Sequence, residues 1–354
     1  MKFILSLLVL CVTTLCCTAA SDMLDQALLS ASQNSPLLIA QCALAAATTD
    51  TPVPQTLDGD DQATDRTRLA ETSAAAAGEA LRVAEQTILL NAVAAYMDLL
   101  RDGALLELQR RNFQVVAESL RVTLERFDAG EAVRTDVTQG ETHLTSVRAM
   151  VARAEAQYAR SRVTYGRVIG VAAGKLAPAA PADRLIPRSL VDSIEVGRAR
   201  HPDVVGAAFS VDVALLQVKI HEASTNRGGA EERSIRQAKE TLAQRRIDLD
   251  TARDRAQANV VATWGEWDTA KSRVLAAQAL VVANEIGLNG QREKARSGER
   301  STLDVFDAQQ ELVETRIALV TGQHDRVVTS YALLAAVGEL NLRKLRIDCR
   351  SAVR

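Results

Sequence analysis

The chain has few of the residues that mark wide cores, cross-linked domains or charged ligand surfaces. Only 3% of its 354 residues are aromatic, seven are proline and five are cysteine, and the net charge is −2. The shortage of aromatics disfavours a wide globular core and favours closely packed helices with narrow seams. Acidic and basic residues are interspersed, so nothing indicates a nucleic-acid partner.

No pattern of chemically active residues occurs either. The four histidines (His143, His201, His221 and His324) are scattered without ligand spacing, which is typical of structural or solvated histidines rather than of a metal site. No nucleophile motif and no phosphate-binding loop is present. We therefore expect that the protein is not an enzyme and holds no cofactor or metal.

A secretory signal peptide is predicted over residues 1–20. An early lysine precedes an apolar run over 3–12, and small residues follow it. A transmembrane anchor and a lipoprotein are weaker alternatives, because the run is too short to span and the leader cysteines lack small residues before them. Cys42 and Cys349 remain after cleavage, and we expect free thiols.

One unit of the sequence occurs twice, at a constant offset of 168 residues. The turn around Gly130 returns around Gly298, and Asp136 returns as Asp304. Other pairs at this offset are Tyr96 with Trp264, Leu144 with Leu312, Arg148 with Arg316 and Gly170 with Gly338. These two turns are here called the tips, and each tip glycine lies between two long apolar-periodic stretches. A left-handed residue there can end one helix, and the polar cluster after it can cap the next. The unit is therefore predicted to be a long helical hairpin.

The repeat divides the chain into segments. A first helical-hairpin repeat is predicted over 21–171, a proline-rich linker over 172–189, a second repeat over 190–346 and a C-terminal tail over 347–354. The apolar period after the first turn is close to 3.5 residues. That period predicts a left-handed coiled coil with a partner helix.

Helix boundaries follow from proline and glycine. The proline-free stretch 67–127 predicts one helix of about 60 residues and roughly 90 Å, whereas 49–66 is predicted to be a loop. Pro36 and Pro202 should each interrupt a helix, because the residue before proline avoids the α region. The last helix is expected to run to about residue 346.

These features together resemble the TolC-type outer-membrane efflux proteins. The likeness lies in Ala94-Ala-Tyr-Met-Asp-Leu-Leu100, the turn from Gly130 to Val137, Tyr165-Gly-Arg-Val-Ile-Gly170, and the segment from Gly298 through Asp304 and Asp307 to Gln310. It covers the mature chain in order and in both repeats. The resemblance implies an all-α fold of two tandem long antiparallel coiled-coil hairpins, which in a homotrimer form a periplasmic tunnel.

The family also builds an outer-membrane β-barrel from two strands per repeat. By resemblance these strands should lie within 42–69 and 220–235. The segments 49–66 and 222–234, which fill most of these windows, contain no aromatic residue, few apolar residues and no alternation, unlike barrel strands. We therefore predict little or no barrel.

The resemblance implies a passive export duct of a tripartite efflux or type I secretion system. Such a duct works with a periplasmic adaptor protein and an inner-membrane pump, and it lies in the outer membrane with most of its mass in the periplasm. The alternative is a soluble periplasmic coiled-coil protein that has lost the barrel and does not conduct.

Candidate site residues also come from the resemblance. It implies that Asp304 and Asp307 are gate carboxylates facing the trimer axis, and that Asp136 and Arg300 form a latch between tips. The tyrosine that usually joins this latch corresponds to Ala295. A simpler interpretation remains open for Asp136 and Asp304, because acidic residues at a helix start are favoured by about 0.3–1 kcal/mol through the helix dipole.

Overall fold

The structure is a computed structural model that describes residues 23–40, 61–223, 229–297, 299 and 302–345. Its helices are α1 (Leu24–Asn34), α2 (Asp61–Asp128), α3 (Arg134–Ile169), α4 (Leu190–Arg200), α5 (Pro202–Ala223), α6 (Gly229–Arg296) and α7 (Thr302–Ala336). A helical stretch also covers 36–40, and a short 3-10 helix spans Asp183–Leu185. Within these ranges no extended strand occurs, which confirms the all-α prediction.

The long helices form two antiparallel hairpins. α2 and α6 each contain 68 residues, which is about 100 Å of helix at 1.5 Å per residue. α2 packs along α3, and α6 packs along α7. α5 lies against both α2 and α6, and a direct α2–α7 contact joins the two hairpins. Two long helical hairpins therefore lie side by side, as the repeat predicts.

Both predicted proline interruptions are present. α1 ends at Asn34, two residues before Pro36, and α4 ends at Arg200 before α5 begins at Pro202. Ser189 precedes α4, and its hydroxyl accepts the Asp192 backbone N–H at 3.0 Å, which satisfies a donor at the helix start.

Two helix boundaries differ from the prediction. α2 begins at Asp61, so the second part of the predicted 49–66 loop is helical, and residues 49–60 lie outside the described ranges. The proline and glycine residues of the predicted loop, Pro52, Pro54 and Gly59, all precede Asp61, so residues 61–66 contain no helix-breaking residue. α7 ends at Ala336 rather than near residue 346, because Gly338 adopts φ 76° and turns the chain.

The last long helix of each repeat ends in the same way, at a glycine that lies close to another segment of the chain. Gly170 (φ 85°) and Gly338 (φ 76°) follow the ends of α3 and α7. A Cβ atom on Gly170 would lie 2.6 Å from the Cβ of Asn34, and one on Gly338 would lie 2.6 Å from the Cα of His201. Both glycines thus combine a left-handed backbone with a close approach to the segment before a proline.

The main core lies where the linker crosses the hairpins. Tyr96 is fully buried there, its ring lies 6.3 Å from that of Tyr165, and its hydroxyl donates to the Ala177 carbonyl at 2.7 Å. The linker is also fixed to the second hairpin, because Trp267 Nε1 donates to Asp183 at 2.8 Å. The linker is thus part of the packed body.

One helical segment of the described chain, residues 190–223, is long and apolar enough to cross a membrane by length and composition alone. It comprises α4 and α5, which Pro202 separates. Only 17% of its most apolar window is buried, although α5 contacts both α2 and α6. The predicted strand windows 42–69 and 220–235 fall partly on residues outside the described ranges.

Candidate functional site

The first tip is a glycine turn, as predicted. Gly130 has φ 76°, its N–H bonds the Phe127 carbonyl at 3.0 Å, and the Glu131 N–H bonds the Arg126 carbonyl at 2.7 Å. These bonds end α2. A Cβ atom on Gly130 would meet nothing within 4 Å, so the left-handed backbone alone favours glycine here. The second tip glycine, Gly298, lies outside the described residues.

Asp136 occupies the first turn of α3. Its carboxylate accepts the Val133 N–H at 3.3 Å, and the residue is half-buried. This contact satisfies one of the unpaired donors at the helix start. Asp136 therefore serves the helix terminus in this structure. Its predicted partner Arg300 lies outside the described residues, so the latch stays a prediction.

Asp304 and Asp307 lie in the first two turns of α7. They are three positions apart, which places both on one side of the helix. Asp304 is half-buried and Asp307 is exposed. The gate role of the two carboxylates stays a prediction, because it depends on neighbouring chains.

A buried aromatic contact supports this part of α7. The Phe306 ring is 7% exposed and lies 5.1 Å from the His143 ring of α3. Burial lowers the pKa of His143, and the charge of Asp307 offsets part of that effect. Sequence reasoning missed this pair, because its members belong to different repeats and no local pattern links them.

Behind the tip, polar side chains enter the seam between the hairpins. The Gln309 amide donates to Asn112 Oδ1 at 3.5 Å, and Arg292 donates to Gln309 Oε1 at 3.2 Å. Asn112 is 3% exposed, and its Nδ2 has no hydrogen-bond partner among the described residues. An unpaired buried donor costs about 1–3 kcal/mol. The contact between the hairpins is therefore less favourable here than in the apolar core.

A second polar network lies nearer the middle of the body. Asp102 is 2% exposed and accepts hydrogen bonds from Arg101 at 2.8 Å, from Gln157 at 3.0 Å and from Ser161. Burial by itself raises the pKa of Asp102, but these donors outweigh it and hold the pKa below the ordinary value. The network fastens α2 to α3.

His324 of α7 joins this region. Its ring nitrogens each lie 2.9 Å from a carboxylate oxygen, one of Asp98 and one of Asp325. Burial lowers the pKa of His324, but the two hydrogen bonds outweigh that effect and raise the pKa. Nowhere in the described ranges do histidine, cysteine and acidic residues form a group that could hold a metal ion.

Comparison with known proteins identifies the family. Residues 52–171 match the family described as outer membrane efflux protein. The chain is 33% identical to the outer membrane efflux protein BepC of Brucella suis biovar 1 over 316 residues, which cover 79% of this chain and 69% of BepC. Such relatives are efflux channels rather than enzymes.

Solved structures agree on the fold. CusC superposes with a TM-score of 0.77 at 15% identity, covering 90% of this chain and 92% of that one. VceC of Vibrio cholerae superposes with a TM-score of 0.70 at 16% identity, covering 89% and 96% of the two chains. At these identities the likeness shows the TolC-like α-tunnel fold alone. Together with the identity to BepC, the family match shows that this chain belongs to the outer membrane efflux protein family.

Proposed function

We propose that three copies of this chain assemble into the export duct of a tripartite efflux or type I secretion system. The duct does no chemistry, and it opens and closes at the tips of the hairpins. Family membership and the α-tunnel fold support this proposal. The observation that carries it is an apolar line on the outer face of α6.

This line, here called the α6 stripe, consists of large apolar side chains that are exposed in the monomer. Its members are Ile247, Leu275, Val282 and Ile286, each between 57% and 69% exposed. The first three are separated by multiples of seven residues, which is the spacing that a coiled-coil partner requires. Its continuous part, from Leu275 to Ile286, extends for roughly 17 Å along the helix, and Asp254 and Asp268 occupy heptad positions between Ile247 and Leu275. Exposed apolar side chains clustered in this way indicate a protein–protein interface.

A second copy of this chain fits the stripe best. The partner must be a helix of comparable length with a matching period, and each copy carries two helices of 68 residues. Repeating one such contact around an axis closes a ring, and the family resemblance gives three members.

The gate proposal concerns Asp304 and Asp307. In a trimer they would place six carboxylates near one axis, which would favour cations and disfavour anions at the mouth. Opening requires the second hairpin to move relative to the first. The buried amide of Asn112, with its unpaired Nδ2, reduces the cost of that separation, because opening returns the donor to water.

Light scattering on the purified mature chain tests the assembly. We expect the mass of three chains, and a stable monomer would contradict the duct. Single-channel recording then tests the gate: exchanging both carboxylates for amides (Asp304→Asn with Asp307→Asn) should reduce cation preference. An unchanged preference would remove the gate role while leaving the trimer in place.

Membrane fractionation distinguishes the duct from the soluble periplasmic coiled-coil alternative. The scarcity of apolar and aromatic residues in 49–66 and 222–234 favours the alternative. Recovery in the outer-membrane fraction, with adaptor and pump captured by cross-linking, supports the duct. Recovery wholly in the soluble periplasmic fraction supports the alternative.

A further inference from the structure

A groove of about 800 Å³ lies between α2, α6 and α7, behind the turn at Gly130. We call it the tip groove. Its apolar surface is formed by Val115, Val116 and Val122 of α2 and by Val305 and Phe306 of α7. The groove adjoins the polar seam, since Gln309 also lines it.

Part of the apolar surface of the groove is open to ligands, whereas Phe306 and Val116 are only 7% and 1% exposed. Val115 and Val122 are 40% and 42% exposed, and they are two of the three exposed large apolar side chains of α2. Phe306 provides an aromatic floor that is held from behind by the His143 ring at 5.1 Å. A fixed aromatic ring flanked by valines is suited to a flat apolar ligand.

The rim of the groove is basic. Arg111, Arg292 and Arg296 line it together with one acid, Glu118, and Arg111 also pairs with Glu107 at 2.8 Å. Arg296 pairs with Glu293 at 3.0 Å, with both side chains more than 70% exposed. Exposed pairs of this kind contribute only about 0–1 kcal/mol, so the guanidinium can turn to an incoming anion at little cost.

Ala295 keeps the groove open. It lies on α6 between the two arginines of that helix that line the groove, Arg292 and Arg296, and its side chain ends at Cβ. A large side chain at this position would occupy the space above the floor. The family resemblance places a tyrosine here, so the open groove is a property of this chain.

We propose that the tip groove binds a small amphipathic aromatic anion, with its ring against Phe306 and the valines and its acidic group between Arg292 and Arg296. The valines and the aromatic floor account for the apolar ring, and the basic rim accounts for the anionic group. The proposal requires only the α2–α6–α7 packing of one chain and is independent of the export role.

Fluorescence titration of the purified mature chain with anilinonaphthalene sulfonate, excited directly, tests this site. We expect a saturable component that Ala295→Trp abolishes. The matched control is Ala276→Trp, which adds the same side chain at an exposed position of α6 outside the groove. Equal binding by both variants and the wild type would overturn the site. Circular dichroism of both variants verifies that they are folded.

A neutral probe tests the charge requirement. N-phenylnaphthylamine has a similar aromatic body but lacks the sulfonate, and we expect it to bind more weakly by about tenfold, since hydrogen bonds to charged groups contribute about 1.5–3 kcal/mol. The double variant Arg292→Gln with Arg296→Gln should weaken the sulfonate by a similar factor and leave the neutral probe unchanged. Equal affinity for both probes in the wild type would overturn the anionic class, and this variant decides the outcome if Ala295→Trp does not fold.

Discussion

The outer faces of the two long helices differ, although their hairpins repeat each other. The α6 stripe is apolar, whereas the positions of α2 at the same 168-residue offset are polar or acidic. The pairs are Ile247 with Glu79, Leu275 with Glu107, Val282 with Gln114 and Ile286 with Glu118. The Glu79 side chain is only 15% exposed, so the outer faces differ at the other three pairs. The acids at three of these α2 positions form ion pairs along their own helix, for example Glu107 with Arg111 at 2.8 Å.

This difference distinguishes the features that both repeats retain, the helix-ending glycines, from the features that have diverged, the outer helix faces. The left-handed glycines that end α3 and α7 are present in both repeats, because each backbone passes close to a neighbouring segment. Outer faces are free to diverge. A face that stays in water keeps charges, and a face that meets another chain acquires apolar residues with a coiled-coil period.

The largest effect is expected from giving α6 the outer side chains of α2. The variant Leu275→Glu, Val282→Gln and Ile286→Glu should lose trimer formation, because each buried large apolar side chain contributes about 1.5–3 kcal/mol. Light scattering should then give the mass of one chain, with unchanged helical circular dichroism. Arg273→Glu, exposed on the same helix, is the control and should remain assembled. A triple variant that stays trimeric would show that the stripe is not the interface.

The seams inside the two hairpins also differ, since one contains a buried carboxylate and the other does not at the matching position. Asp102 in the first seam corresponds to the buried Ala270 in the second. Asp102→Ala should lower the free energy of unfolding by about 1–3 kcal/mol, because the buried Ser161 hydroxyl loses its acceptor, whereas Arg101 keeps its ion pair with Asp98. Thermal unfolding measures this loss. Asp250→Ala is the exposed control, with its carboxylate paired to Arg253 at 3.3 Å, and it should cost no more than about 1 kcal/mol.

The contribution of Asp102 should also depend on pH. Its folded pKa is lowered, so its stabilisation is full above the ordinary carboxyl pKa and is lost as the pH falls through the lowered folded value. The difference in unfolding free energy between wild type and Asp102→Ala should therefore shrink in acid. A constant difference across the acid range would contradict the network.

Substitution of two glycines with the same φ angle distinguishes the cost of a left-handed backbone from the cost of steric crowding. Gly338 and Gly130 both have φ 76°, but a Cβ on Gly338 would meet the backbone of His201, whereas one on Gly130 meets nothing. Gly130→Ala should cost about 1–2 kcal/mol, the price of a left-handed alanine. Gly338→Ala should cost clearly more, measured by chemical denaturation. Equal losses would show that the α7 end can move away from His201.

The smallest effect is a pH dependence carried by His324. Its folded pKa is raised, so its stabilisation is full below the ordinary histidine pKa and is lost as the pH rises through the raised folded value. The difference in melting temperature between wild type and His324→Gln should therefore decrease from mildly acidic to alkaline pH. His143→Gln should show the opposite slope, because burial lowers that pKa. Parallel slopes for the two variants would contradict the assigned contacts.

Local signals predicted the larger part of the fold. Pro36, Pro202 and Gly130 act through their own backbone angles, so the breaks and the first turn follow from sequence. The end of α7 did not follow, since it depends on how Gly338 meets His201 across the molecule.

The candidate site was predictable only in part. The resemblance to the TolC-type family led to the acidic positions Asp304 and Asp307, and the described structure places both at the start of α7. It gave no indication that Phe306 packs on His143. It also gave no indication that Ala295 borders a groove.

The sequence by itself determined two long helical hairpins, because apolar period, proline and left-handed glycine act within a few residues of the chain. Only the tertiary structure decided which helix faces are covered, where α7 stops and which side chains meet behind the tip. Those outcomes depend on segments that dock across the molecule, and the partners of that docking lie more than a hundred residues apart, beyond the reach of any local pattern.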